Sequence, residues 1–300
     1  MSTRMSVTPS VFVLALISAV LWGVGPVFSK LGMERGGRSD RATLIVLAVG
    51  TATFTLGSLV RGWGGGDTLA SVSGTALVAF ALSGVFGTSL AWLLWFRGID
   101  RVGASASNVV FYSQPLFAAV LAALALGERL TPGIGVGVVL IVAGVGLLSL
   151  SAGDGVGSWR TSALLYPLAA AILAAGSNVV SRFGFRISAV TPLEAATIKQ
   201  TSALAVLVGY LLVSRRRLAG VDTPDLYFTG TGLVNAGALF ALLVALDNGP
   251  VVVVSPLVGT SPLFTAAFAA LLPGDVERVT RRTVASATLT VAGVTAIAVV

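Results

Sequence analysis

The stretch SQPLFAAVLAALALGERLT, residues 113–131, places a glutamine and a proline in an apolar run long enough to be a helix. Within a helix, proline deletes a backbone hydrogen bond and clashes with the preceding turn. The oddity returns later. Ser261-Pro262-Leu263-Phe264 leads another alanine-rich run, followed by Glu277-Arg278-Val279-Thr280, an echo of Glu128-Arg129-Leu130-Thr131. A feature that costs helix stability and still occurs twice points to a duplicated structural unit.

Outward from that stretch the chain is apolar. Only 10% of its 300 residues are charged, against about 25% in soluble globular chains. A bilayer core takes about 20 apolar residues per helical crossing. Runs of that kind predict ten spans: 11–31, 42–60, 75–96, 102–126, 133–150, 162–183, 192–213, 228–246, 251–272 and 283–299. The first run outlasts the apolar core of a signal peptide and has no convincing small-residue cleavage site, so it reads as a span. The longest connections, 61–74 and 215–227, are too short to fold alone. The expected class is all-α, a polytopic multi-pass protein whose partner is the lipid bilayer.

The two halves match in order. Ser29-Lys30-Leu31-Gly32 corresponds to Ser181-Arg182-Phe183-Gly184, and Asp100 to Asp247. Ser113-Gln114-Pro115-Leu116-Phe117 corresponds to Thr260-Ser261-Pro262-Leu263-Phe264, and Val142-Ala143-Gly144-Val145 to Val291-Ala292-Gly293-Val294, with a small slip at Pro273-Gly274-Asp275. The division falls at 1–151 and 160–300, with five spans in each repeat. An odd number of crossings finishes on the opposite side from where it began, so the second copy is inverted. Inverted repeats are a recurrent transporter architecture, with substrate held near the midplane.

Composition excludes several classes. Without cysteine or histidine, thiol chemistry, disulfides and most zinc sites are out of reach. The net charge of +7 comes from arginines scattered over short loops, where basic residues orient membrane proteins; no nucleic-acid partner is expected. No Walker loop, kinase-like loop or nucleophile elbow is present, so no cofactor is called for. A cytoplasmic amino terminus would put five basic residues on its side (Arg4, Arg61, Arg129, Arg182 and Arg186) and thirteen on the other. The positive-inside rule then favours termini outside.

Candidate site residues cluster on the broken runs. Asn108, Tyr112 and Pro115 have the spacing of one helical face, and Ser255, Gly259 and Pro262 repeat it. Gln114 and Ser261 lie near mid-span. Such a stripe fits a kinked, cavity-lining helix or, alternatively, kinks used only in packing. Lys199 lies inside a span, about 10 Å from its start; it could hold an anionic group or snorkel to the interface. Trp22 shares a face with Gly25 and Ser29, and Pro26 bends the path. Asn178 requires a partner, either substrate or another helix. Trp92 and Trp95 read as an interfacial aromatic belt rather than a substrate platform. Glu128 and Glu277 read as loop or helix-terminus charges, and the Gly133/Gly137 spacing as helix packing. No span carries a midplane carboxylate, the usual carrier in proton-coupled transport.

The paired five-span halves, the SQPLF and TSPLF prolines, the GERLT turn and the repeated VAGV resemble the EamA family of the drug/metabolite transporter superfamily, over nearly the whole chain. The resemblance implies a ten-span carrier, often an exporter of amino acids or other metabolites, working by alternating access. It also implies cytoplasmic termini, against the charge count. Smaller drug-exporting relatives use a first-span glutamate, which this chain lacks between residues 11 and 31. The expected function is secondary active transport of a small-molecule substrate, the alternatives being an intramembrane lipid-handling enzyme or a passive channel. Oligomeric state is not encoded legibly.

Overall fold

A computed structural model of the protein describes residues 8–63, 72–151, 161–213, 224–271 and 281–299. Arg4, Arg160, Arg215, Arg216, Arg217, Glu277 and Arg278, and the Pro273-Gly274-Asp275 slip, lie outside them. Every regular element among the described residues is helical. In chain order they are α1 (Pro9–Glu34), α2 (Ser39–Trp63), α3 (Gly74–Gly84), a π-helical turn (Val85–Leu90), α4 (Ala91–Val102), α5 (Ala104–Phe111), α6 (Gln114–Leu126), α7 (Pro132–Ser151), a 3-10 turn (Thr161–Leu164), α8 (Leu165–Ile187), α9 (Pro192–Val213), α10 (Pro224–Asn248), α11 (Val251–Val258), α12 (Ser261–Ala269) and α13 (Arg281–Ala298).

Local sequence sets these limits. Pro9, Pro132, Pro192 and Pro224 open helices, where a missing N–H costs nothing. Thr191 and Glu194 form a reciprocal cap on α9: Thr191 N donates to Glu194 Oε2 at 2.8 Å, and Glu194 N to Thr191 Oγ1 at 3.5 Å. Gly127, at φ 65°, lets α6 end in a left-handed turn.

The third span is continuous but carries a π turn between α3 and α4. The fourth is broken at Tyr112–Ser113 into α5 and α6, and the ninth at Gly259–Thr260 into α11 and α12. The expected mid-helix kinks are therefore helix starts. Pro115 and Pro262 stand at the second residue of α6 and α12, inside the first turn, where no N–H is needed. The face expected over Asn108, Tyr112 and Pro115 is interrupted by that break. Pro26, by contrast, lies within α1.

Nine helices among the described residues are long and apolar enough to cross a membrane. The tenth predicted span, α13, opens with Arg281 and Arg282 and is not among them. It nevertheless packs lengthwise on α7, which is one of the nine. Exposed side chains such as Val13, Leu56, Leu124, Val136 and Leu212 form an apolar exterior, the surface that hydrocarbon requires.

Packing follows one exchange rule in its main contacts: replace each span by the one five further along and the most extensive helix pairs recur. Helix α1 lies along α10 and the ninth span; α8 correspondingly lies along the third and fourth spans. The α2–α10 contact is mirrored by α9 with α3. Contacts α2–α9, α6–α11 and α7–α13 map onto themselves and so mark the axis. With five crossings per half, a two-fold axis of this kind lies in the membrane plane, and the halves are inverted.

Small residues let the helices approach along the axis. A Cβ on Gly293 would lie 2.6 Å from the Gly137 carbonyl oxygen, and one on Gly137 would lie 2.5 Å from Ile297 Cγ1. Of the predicted Gly133/Gly137 pair, Gly137 is thus a close-packing position. We expect Gly293→Ala to destabilise the purified protein by about 1–3 kcal/mol through overpacking against backbone. Gly135→Ala, whose nearest neighbour would be Leu130 Cδ2 at 3.9 Å, should leave the melting temperature unchanged. Thermal unfolding in detergent checks the pair.

Candidate functional site

The interior where the broken spans meet carries the predicted polar residues. Asn178 of α8 is buried and donates from Nδ2 to Ser255 Oγ of α11 at 3.3 Å, tying two helices of the second half together. Asn108 of α5 accepts from Trp95 Nε1 at 3.0 Å. Trp95 stacks on Phe111 with ring centroids 5.1 Å apart, and Phe111 meets Tyr112 edge-on at 5.6 Å. Gln114 and Ser261 open α6 and α12, both half-buried. Asn178 and Ser255 are therefore brought together within the second half, as Asn108 and Trp95 are within the first.

Trp22 meets Trp92 edge-to-face at 6.3 Å, although α1 and α4 do not pack along one another. The two rings reach across the interior. Trp92 and Trp95 are thus turned inward, and the aromatic belt expected of them is corrected. Composition could not distinguish the two, because an amphipathic ring suits an interface and a buried hydrogen bond equally.

Asn235 of α10 was not singled out by sequence. Its Oδ1 is buried without a hydrogen-bond partner, and Gly25 of α1 makes room for it, since a Cβ there would collide with that oxygen. The signal was available: a polar residue at mid-span demands a partner, the reasoning that had flagged Asn178.

Lys199 does not snorkel. It is only 4% exposed, and its Nζ donates to Ser83 Oγ and Ser177 Oγ at 2.8 Å each and to Ser181 Oγ at 3.4 Å. Ser83 and Ser181 lie 2.7 Å apart. Three hydroxyls from α3 and α8 thus replace the ammonium's hydration shell. Gly84 permits this fit by bringing α3 onto the α9 backbone at Lys199. Serines in alanine-rich helices carry little sequence signal, so the cage was invisible before its helices were placed.

On the side of the amino terminus a second polar group joins the halves. Glu128, in the α6–α7 connection, has a side chain only 1% exposed. Its Oε1 pairs with Arg186 Nη2 at 3.3 Å and its Oε2 accepts from Val252 N at 3.0 Å, at the start of α11. Arg186 Nη1 also donates to the Leu126 carbonyl at 2.6 Å. One turn earlier, Arg182 Nη1 donates to the carbonyls of Leu246 and Asp247 at 2.8 and 2.6 Å. Glu128 is a helix-terminus charge as predicted, but the terminus it serves belongs to the other half.

Spans related by exchange about an in-plane axis, with discontinuous helices at the middle, define an integral, polytopic α-helical membrane protein of two inverted repeats. The EamA-like transporter family model matches the chain twice, over residues 9–150 and 161–299; the chain belongs to that family. It is 35% identical over 80 residues to the "Uncharacterized inner membrane transporter YicL" of Salmonella typhimurium, a match covering 27% of each protein. It is 36% identical over 62 residues to the "Putative permease-like protein YdzE" of Bacillus subtilis, covering 21% of this chain and 80% of that one. The matched stretch thus spans only about a quarter of the YicL sequence. A solved protein crystal structure shares the fold, with a TM-score of 0.81 over 97% of this chain and 96% of its own at 17% identity.

The serine cage yields a test. Removing both near oxygens in a Ser83→Ala/Ser177→Ala double variant strands a buried ammonium, which should cost about 3–5 kcal/mol. Lys199→Met removes charge and hydrogen bonds together, and should cost only about 1 kcal/mol. Thermal unfolding should rank the wild type as most stable, Lys199→Met next and the double variant last.

Proposed function

We propose that the protein is a secondary active carrier of the plasma membrane that exports small polar or amphipathic metabolites such as amino acids, by alternating access between repeats 1–151 and 160–300. The observation that carries this reading is the exchange-related packing of helices around spans that break at mid-membrane. Broken spans bring unpaired backbone groups to the middle of the bundle, where they are tolerated if they line a wet path. Two inverted halves then expose that path to either side by rocking.

Trp22, Asn108, Tyr112, Gln114, Asn178, Ser255 and Ser261 line the proposed path. Pro26, Pro115 and Pro262 provide its bends, the latter two by starting the second half of a broken span. Lys199 contributes a buried amine behind Ser177, the residue next to Asn178, which when protonated favours an anionic or zwitterionic substrate. The transporter and permease names of the relatives agree with a carrier rather than an enzyme.

Proteoliposomes loaded with a metabolite mixture should show saturable counter-exchange for at least one compound. Asn178→Leu, which removes the link to Ser255, should lower its half-saturating affinity by up to about tenfold, since about 1.4 kcal/mol is one decade. Lys199→Ala should weaken carboxylate-bearing substrates selectively. Flux that neither saturates nor exchanges would overturn the carrier reading, and unchanged affinity for every hit would remove Lys199 from substrate recognition.

A further inference from the structure

Along one face of α8, Asn178, Arg182 and Arg186 follow one another at four-residue intervals. The stripe leads from the buried Asn178–Ser255 bond to the amino-terminal side of the bundle. There it meets the end of α10 and the α6–α7 connection. Arg186, Glu128 and Asp247 all lie within electrostatic reach of Arg182, so the group holds two charges of each sign.

Two of the four are engaged. Glu128 gives Oε1 to Arg186 Nη2 at 3.3 Å and Oε2 to Val252 N at 3.0 Å, and Arg186 Nη1 donates to the Leu126 carbonyl. The other two are not. Both Arg182 bonds leave from Nη1, to the Leu246 and Asp247 carbonyls at 2.8 and 2.6 Å. Its Nε is buried without a hydrogen-bond partner, and nothing among the described residues accepts from Nη2. The half-buried Asp247 carboxylate likewise enters no hydrogen bond or ion pair among the described residues, although its main-chain carbonyl is held by Arg182.

What remains is a flat edge of two N–H donors on α8 and a carboxylate on α10. The Nε–Nη2 edge of a guanidinium matches a carboxylate, which it binds by two parallel bonds. The Nη1 bonds already fix the guanidinium plane, so little orientation is lost when a ligand arrives. A ligand with negative charge alone would gain the Arg182 edge and meet the Asp247 carboxylate. One with positive charge alone would gain Asp247 and meet two guanidinium groups. A ligand carrying both is complementary to each.

We infer that the ends of α8 and α10 form a zwitterion-binding subsite, in which the Nε–Nη2 edge of Arg182 takes a carboxylate and the Asp247 carboxylate takes an ammonium. The ligand class is a small molecule with both groups close together, as in an α-amino acid. Placing the subsite on a route to Asn178 and Ser255 rests on the carrier reading; the binding itself does not. Nε is covered in this structure, so the ligand takes the edge as this side opens, and it satisfies a buried donor that the protein leaves unpaired.

The full chain, purified in detergent, is melted with each standard L-amino acid. Each one that stabilises it is compared with the matching amine, which lacks the carboxylate, and the matching acid, which lacks the ammonium. At least one amino acid should raise the melting temperature, its amine and acid binding about tenfold more weakly because each forgoes a hydrogen-bonded charge. Asp247→Asn keeps the main-chain carbonyl that Arg182 holds. It should weaken the amino acid about tenfold and leave the acid bound as before, so that the preference for the zwitterion disappears. Arg182→Lys keeps a donor for the two carbonyls but has no flat edge, and should weaken amino acid and acid alike.

A pair that only capped α10 would change the melting temperature of the free protein and leave the ratio of amino-acid to acid affinity untouched. If Arg182→Lys does not fold, Asp247→Asn decides alone. Failure of every amino acid to stabilise the wild type, equal stabilisation by the amine or the acid, or an unaltered ratio in Asp247→Asn would overturn the subsite. Melting needs no flux, so the subsite can stand while counter-exchange fails. Counter-exchange of solutes that Asp247→Asn leaves unaffected would keep the carrier and remove the subsite.

Discussion

Hydrocarbon offers no hydrogen bonds, and that constraint organises the interior of this protein. A helix satisfies its own backbone except at its ends. Each helix end therefore presents donors and acceptors that need partners from elsewhere. The carbonyls of Leu246 and Asp247 at the end of α10 are served by Arg182, and that of Leu126 by Arg186. The amide of Val252 is served by Glu128. The Lys199 ammonium is solvated by Ser83, Ser177 and Ser181. In every case the partner lies on another element, so satisfying the polar groups also fixes which helices stay together. Helices α3, α8 and α9 are joined by the caged charge, and α8, α10 and α11 by the arginines and Glu128.

These links divide into kinds with different consequences for motion. The serine cage lies wholly inside and uses three short neutral acceptors around one cation. Breaking it leaves a charge without solvation, so it behaves as a permanent rivet. The Glu128 cluster lies where chain connections meet, and Arg186 is 37% exposed; water can replace its bonds as they break. An inverted repeat with identical halves would close equally well on either side. Here the related positions carry Lys30 and Glu34 in place of Arg182 and Arg186. On the face opposite the amino terminus, Arg41 of α2 pairs with Asp225 of α10 and so also links the two halves. Ion pairs between the halves therefore lie at both ends of the bundle.

Much of this was legible before coordinates. Long apolar runs and an internal repeat reveal spans and inversion because both depend on composition and parity rather than on precise packing. The expected tenth span was harder, since α13 begins with two arginines and is recognisable mainly by the way Gly137 and Gly293 meet. Proline positions were legible, yet their effect was not. Whether Pro115 kinks one helix or starts another depends on how Tyr112 and Ser113 turn, a choice made by the surroundings. Lys199 was ambiguous because snorkelling and caging require the same residue at the same depth. The cage depends on three serines that any alanine-rich helix could contain. Asn235 and the inward rings of Trp22 and Trp92 belong to the same class, since orientation about a helix axis is poorly defined when every face of the helix is apolar.

The polar groups facing the proposed path are amides and hydroxyls, with the nearest ionisable group, Lys199, withheld behind serines. This arrangement bears on selectivity. A bare ammonium in the path would bind any anion strongly and release it slowly, which opposes turnover in a carrier that must load and unload at one site. Screened by hydroxyls, the same charge biases the local potential without forming a direct ion pair. On the carrier reading proposed above, discrimination would rest on hydrogen bonds to Asn178, Ser255 and the unpaired Asn235 oxygen, and on the aromatic rings of Trp22 and Trp92. A site that reads hydrogen bonds rejects a ligand lacking them, because its own buried groups are then left unpaired. The Asn235 oxygen is already in that condition, so a substrate donor that reaches it gains a bond without having to displace a protein partner.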